Sequence, residues 1–166
     1  MTNNLINFKR KRLPGWLKTP LPKKNNFFRL KSLVQKYNLN TVCESASCPN
    51  IGTCWDAGTL TFMILGDSCS RACKFCDVST GNLITPNPYE PKTIAETLSK
   101  LNLRYAVITS VDRDDLIDGG AEHWIKTIQH IRIQCPKLKI ETLIPDFQGK
   151  MSLVEKICEA KPDVLA

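Results

Sequence analysis

Six of the chain's eight cysteines fall between positions 43 and 76, in two triplets: Cys43-x4-Cys48-x5-Cys54 and Cys69-x3-Cys73-x2-Cys76. Each triplet is one thiolate short of a four-ligand site. That points to two metal centres, each completed by a ligand other than cysteine. Three thiolates can hold three irons of a cubane [4Fe-4S] cluster and leave the fourth iron open to another molecule. A structural zinc site is the alternative, but such sites usually have four protein ligands in paired Cys-x2-Cys knuckles. Neither triplet offers such a pair with a matching second one.

The elements that position the triplets follow from periodicity. Residues 27–37 carry apolar side chains at helical spacing, and Thr59 to Leu65 reads as a buried strand ending at Gly66. The second triplet therefore starts in the loop at the carboxyl end of the first strand, where α/β folds assemble their active sites. Pro91 opens a helix running to about Asn102, with Ile94, Leu98 and Leu101 on one face. Arg104 to Ser110 is a second strand. Residues 121–133 form a helix with Trp124, Ile128 and Ile131 as its apolar stripe, and Leu138 to Ile144 a third strand. A helix from Ser152 to Ala160 and the opening of a strand at Val164 complete the alternation, which predicts parallel βαβ units.

Composition narrows the class. At 166 residues, 42% hydrophobic and 23% charged, the chain suits one globular domain. No apolar run approaches the roughly 20 residues needed to span a bilayer, and no secretory signal is evident, so a reducing compartment and metal-binding thiols are expected. The net charge of +7 is uneven. Residues 1–40 hold ten Lys and Arg and no acid, including Lys9-Arg10-Lys11-Arg12, whereas the remainder nets −3. Such an arm is a solvated charge run, a site for an acidic partner or nucleic acid, or an organelle transit segment.

Two motifs carry a resemblance. Cys69-Ser70-Arg71-Ala72-Cys73-Lys74-Phe75-Cys76 resembles the radical S-adenosylmethionine signature, with an aromatic residue before the last cysteine. The stretch from Val42 to Trp55 resembles the auxiliary-cluster segment of the lipoyl synthase family, and the likeness continues through residues 66–69, 107–116, 118–123 and 140–147. It implies a partial (βα)6 TIM-like barrel of the radical SAM type. About three and a half βα units are countable, behind a cysteine-rich N-terminal extension. The expected division is 1–58 for the extension and auxiliary segment and 59–166 for the incomplete barrel.

The resemblance also implies function. The family inserts two sulfur atoms at C6 and C8 of an octanoyl chain held on a lysine. Alkyl C–H bonds are too inert for acid–base catalysis, so a hydrogen-abstracting radical is needed. The cluster on Cys69, Cys73 and Cys76 would generate it from S-adenosyl-L-methionine, and the cluster on Cys43, Cys48 and Cys54 would donate sulfur. Thr109 and Ser110 would meet the methionine amino group and Glu141 the ribose, although Glu141 equally suits a solvent face. Implied partners are an octanoylated lipoyl carrier domain or glycine cleavage H protein, and an electron donor such as ferredoxin or flavodoxin, in the cytoplasm or an organelle. Neither nucleic acid nor membrane is an expected partner.

The family's core ends with an Arg-Ser-Ser-Tyr motif whose serine ligates the auxiliary cluster. The sequence stops at Ala166 without it, so a truncated form is expected, either an enzyme or a noncatalytic iron-sulfur fragment. A basic zinc module for nucleic acid is the remaining class. The loop of residues 112–120 either shapes the pocket or leads into a helix. Of His123 and His130, one is expected partly buried and one exposed; Cys135 and Cys158 are expected as buried thiols.

Anaerobic reconstitution with iron and sulfide should load about eight irons per chain and give broad absorption near ~400 nm. Colourless protein that retains zinc would overturn the cluster reading.

Overall fold

A computed structural model describes residues 25–101 and 103–166 together with Pro14, Gly15, Lys18, Leu21 and Pro22. The run Lys9 to Arg12, and most of the basic arm with it, lies outside the described residues. Helix α1 (Asn25–Lys36) buries Leu30 and Val34, one turn apart. It stops where Asn38 takes a left-handed conformation, with Leu39 N–H donating to Val34 C=O and Asn38 N–H to Gln35 C=O. That pairing satisfies carbonyls the helix end would otherwise leave open.

Strand β1 (Asn40–Thr41) follows, then two short helices, α2 (Val42–Ser45) and α3 (Ile51–Asp56). Thr41 caps α2: its hydroxyl accepts from Glu44 N–H and donates to the Glu44 carboxylate, both at 3.3 Å. The remaining elements are β2 (Thr61–Ile64), β3 (Ser68–Cys69), β4 (Ser79–Thr80), α4 (Glu90–Leu101), β5 (Tyr105–Ser110), α5 (Ala121–Gln134) and β6 (Lys139–Leu143). A 3-10 turn at Phe147–Gly149, helix α6 (Met151–Glu159) and β7 (Val164–Leu165) close the order. The principal helices and strands expected from periodicity are present within a few residues of their predicted bounds.

The main sheet has the order β1-β2-β5-β6-β7. Strands β2, β5, β6 and β7 are mutually parallel, as the alternation of strands and helices predicts. Strand β1 departs from that rule, pairing antiparallel with β2 through Asn40 to Met63 and Thr41 to Phe62. Two residues are too few to show a period, so only the pairing reveals it. The fold is therefore α/β with a mixed sheet. Strands β3 and β4 form a separate parallel pair.

Side chains alternate across the sheet. Phe62, Ile64, Ala106, Ile108 and Ile140 join Ile94, Leu98, Trp124, Ile128 and Ile131 in one buried cluster. Register puts Thr61, Val107 and Glu141 at one level of the strands and Met63, Thr109 and Leu143 at the next. The second level lies nearer the carboxyl edge, where the cysteine loop begins. Among the described residues, no helix is long and apolar enough to cross a membrane.

The approach to β7 is fixed by one carboxylate. Asp163 accepts from Lys139 Nζ at 2.8 Å, Arg132 Nη2 at 2.6 Å and the Ile140 amide at 2.9 Å. Lys139 above all, then Arg132, holds its carboxyl well below the usual range. A carboxyl depressed in the folded state stabilises it above its unfolded pKa of about 4, and that stability is lost as pH falls through the lower folded value. Asp163→Asn should accordingly cost about 1 kcal/mol at pH ~7 and nothing near pH ~1, read from urea midpoints at both pH values.

Candidate metal centre

The second triplet begins with a forced turn. After Ile64, Leu65 takes φ 70°, a region a branched-side-chain residue enters at a cost of roughly 1–3 kcal/mol. Both backbone polar groups of this buried residue are held by charged side chains. The Leu65 N–H donates to Glu90 Oε2 at 2.8 Å, and its C=O accepts from Arg113 Nη1 at 3.1 Å. Glu90, at the start of α4, is also 2.7 Å from His123 Nε2 on α5. Arg113 is 3% exposed and donates twice to Asp115, at 2.9 and 2.8 Å. Gly120 has φ 88°, and a Cβ there would lie 2.4 Å from Leu65 Cδ1, so the Leu65 side chain depends on a glycine opposite.

The chain then enters β3, where Ser68 pairs with Ser79 and Cys69 with Thr80. Ser70 N–H donates to Asp112 C=O at 2.9 Å, tying this loop to the one after β5. The Cys69 sulfur accepts from the amides of Asp112 at 3.3 Å and Arg71 at 3.4 Å. Amide donors on a ligating sulfur tune the potential of a cluster bound to it. Cys76 N–H donates to Cys73 C=O at 3.0 Å, closing a turn between these two exposed residues. Cys69, Cys73 and Cys76 line a single cavity of about 250 Å³, shared with Thr109, Ser110, Asp112, Met63 and Val42.

This donor set fits an iron-sulfur cluster: three free thiols on one cavity, with amide donors already on one sulfur. Among the described residues, no three His, Cys, Asp or Glu side chains converge tightly enough to grip one ion. The ligands of a cubane bind separate irons and so need not converge on one point. The first triplet occupies α2 (Cys43, buried), the following turn (Cys48) and α3 (Cys54). Cys48 N–H donates to Cys43 C=O at 3.1 Å, and Ile51 N–H to Cys48 C=O at 3.3 Å, so backbone bonds fold the segment back on itself. Beside Cys54, the buried Trp55 indole N–H has no acceptor among the described residues.

Electrostatics at the second triplet centre on Arg71. Its guanidinium donates to Asp114 at 2.6 and 2.7 Å and to Asp146 at 3.0 and 2.9 Å, and lies 3.8 Å from Asp112. Arg71 holds the Asp114 carboxyl below the ordinary carboxylate range, helped by Gln148 and Ser70. It lowers Asp146 as well, together with the Gln148 amide. Asp112 goes the other way, because burial pushes its carboxyl up more than Arg71 pulls it down.

Comparison with known proteins finds similar sequences. Residues 2–48 match the model of the N-terminal domain of lipoyl synthase of the radical SAM family. The lipoyl synthase of Thermus thermophilus is 51% identical over 156 residues, covering 92% of this chain and 48% of that protein. That of Halobacterium salinarum is 50% identical over 160 residues, 94% of this chain and 51% of the relative. That of Parabacteroides distasonis is 47% identical over 155 residues, 93% and 55% respectively. Over nearly all of its length the chain is similar to the lipoyl synthases. It spans about half the length of the curated relatives it matches.

Against the lipoyl synthase expectations, the three cysteines of the second triplet and Thr109 share one cavity. Thr109 Oγ1 donates to Leu143 C=O at 3.2 Å. Ser110 lines the same cavity, and its hydroxyl accepts from Trp124 Nε1 on α5 at 3.2 Å. Glu141 sits one level further from the carboxyl edge than Thr109, outside the cavity lining, and accepts from the Tyr105 hydroxyl. The 112–120 loop serves both roles foreseen for it: Asp112 lines the cavity, while Asp118 caps the start of α5 through the amides of Gly120 and Glu122.

Two expectations need correction. His123 and His130 are both half-buried, His123 against Glu90 at the start of α4, a partner that the helical spacing does not reveal. Cys158 is exposed, since α6 fully buries only Ile157, and Cys135, at the end of α5, is half-buried. Arg71, Glu90 and Arg113 are the residues sequence reasoning passed over. Arg71 lies inside the triplet, which is a signal; nothing local marks Glu90 or the burial of Arg113.

Gly120→Ala should destabilise the fold by about 2–4 kcal/mol in chemical denaturation, through the clash and the positive φ together. Gly149→Ala, with φ 76° and open space around it, should cost only about 1 kcal/mol.

Proposed function

We propose that the protein acts in lipoyl synthesis, inserting two sulfur atoms at C6 and C8 of an octanoyl chain carried on the lysine of a lipoyl carrier domain or glycine cleavage H protein. One observation carries this reading: three free thiols lining one cavity at the carboxyl edge of parallel strands, in a chain about half identical to lipoyl synthases. Cys69, Cys73 and Cys76 would hold a [4Fe-4S] cluster, and Cys43, Cys48 and Cys54 a second. Bound there, the first cluster with S-adenosyl-L-methionine supplies a hydrogen-abstracting radical, and the second supplies sulfur.

The chain's own residues have narrower tasks. The amides of Asp112 and Arg71 keep the Cys69 sulfur in a polar setting and fix its direction. Thr109 and Ser110, which both line the cavity, would meet the methionine moiety. Glu141 lies further along the same sheet face, where a ribose could be met once the Tyr105 hydroxyl is displaced. Val42, adjoining Cys43, lines the same cavity, which supports the two triplets acting on one substrate chain.

The parallel strands β2, β5, β6 and β7 suit the opening part of a partial (βα)6 barrel, with residues 1–58 as an extension and 59–166 as barrel. A reducing cytoplasm would keep the thiols available, with a ferredoxin or flavodoxin as electron donor.

Reconstituted protein given dithionite and S-adenosylmethionine should release 5'-deoxyadenosine, and with an octanoylated carrier, lipoyl product. Cys76→Ala should lower nucleoside release by more than about 100-fold, while Cys158→Ala leaves it unchanged. Nucleoside without lipoyl product would reduce the function to cluster binding and radical generation. No nucleoside from cluster-loaded parent protein would sink the proposal.

A further inference from the structure

The loop bearing the second triplet is attached to the rest of the molecule by more than its own backbone. Arg71, two residues after Cys69 and two before Cys73, reaches across to the loops that follow two different strands. Its guanidinium forks onto Asp114, after β5, and onto Asp146, after β6. Sequence separations of 43 and 75 residues are bridged by one side chain. A planar guanidinium can serve two carboxylates at once with a paired fork on each, where a lysine offers only a compact point charge.

Both receiving carboxylates are themselves fixed. Asp114 accepts from Gln148 Nε2 at 3.0 Å and Ser70 Oγ at 3.1 Å. Asp146 accepts from the Gln148 amide at 2.9 Å and caps the 3-10 turn, where Phe147 and Gln148 both hold positive φ. Gln148 therefore touches both carboxylates, and Ser70 also accepts from the Asp114 amide at 3.1 Å. The result is a ring of contacts in which Arg71 is the one side chain that comes from the cysteine loop and touches both strand-end loops.

We propose that Arg71 is a positioning residue that locks the 69–76 loop onto the ends of β5 and β6 before any cluster is bound, so that the three thiols are held facing the cavity. Its effect on cofactor affinity rests on the function proposed above. Its effect on the metal-free loop does not.

Two measurements separate the parts. In hydrogen exchange of the metal-free full chain, Arg71→Gln should speed exchange of the amides of residues 70–76 by about tenfold or more while leaving α4 and α5 unchanged. Asp114→Asn with Asp146→Asn should reproduce that effect and add little on top of Arg71→Gln, the non-additivity expected of one network. Unchanged protection in Arg71→Gln would overturn the proposal.

After reconstitution, the change S-adenosylmethionine makes in the EPR spectrum of reduced protein gives a second readout. Arg71→Gln should take up the same iron as the parent but need about tenfold more S-adenosylmethionine for half the change, with Arg71→Lys in between. A half-point equal to the parent's would overturn the role toward the cofactor. A parent that binds no cluster counts against the function, and the exchange data then decide the clamp alone. Should Arg71→Gln fail to fold, Asp146→Asn, at an exposed carboxylate, removes one fork and is read the same way.

Discussion

Everything at the candidate site depends on how the chain leaves β2. A strand must deliver Cys69 to the carboxyl edge of the sheet and then turn aside, and the turn is made at a buried leucine held at positive φ. That conformation is unfavourable by itself and persists because two charged groups grip its amide and carbonyl. Burying a carboxylate and a guanidinium is costly unless each is partnered, and here each is: Glu90 by His123, Arg113 by Asp115. The partners come from α4, α5 and the intervening loop, so the turn can form only when the helices have docked on the sheet. Local strain at the site is thereby tied to global folding.

The same logic extends outward from Leu65. Gly120 leaves room for its side chain, and Asp118 caps the helix that Gly120 precedes. That helix supplies Trp124, which fills the core and donates to Ser110 in the cavity lining. Core and site are not separable layers in this molecule. A side chain that packs the interior at one end orients a polar group of the cavity at the other.

Much of this is legible in the sequence, and the reasons differ by element. Helices α4 and α5 carry long apolar stripes, and their predicted faces are the buried ones: Ile94, Leu98 and Leu101 in one, Trp124, Ile128 and Ile131 in the other. The cysteine loop is legible because the close spacing of its thiols is a pattern in its own right, readable without knowing what packs around it. Strand β1 and the β3–β4 pair escape, since two residues carry no period and their existence is decided by what lies alongside. Glu90 and Arg113 escape for a related reason. Charged residues are usually solvated, and only the fold reveals that these two point inward to meet a strained peptide.

The short parallel pairing of Cys69 with Thr80 has an entropic consequence. It ties off the segment containing Cys73 and Cys76 as a closed loop, with Gly81 N–H bonding back to Cys69 C=O at 3.2 Å. Closing a loop restricts the chain whether or not anything is bound inside it. Because folding bears that restriction, Cys73 and Cys76 have less freedom left to lose than they would on an open chain. The pairing thus moves part of the ordering cost of this segment into the folding of the whole molecule.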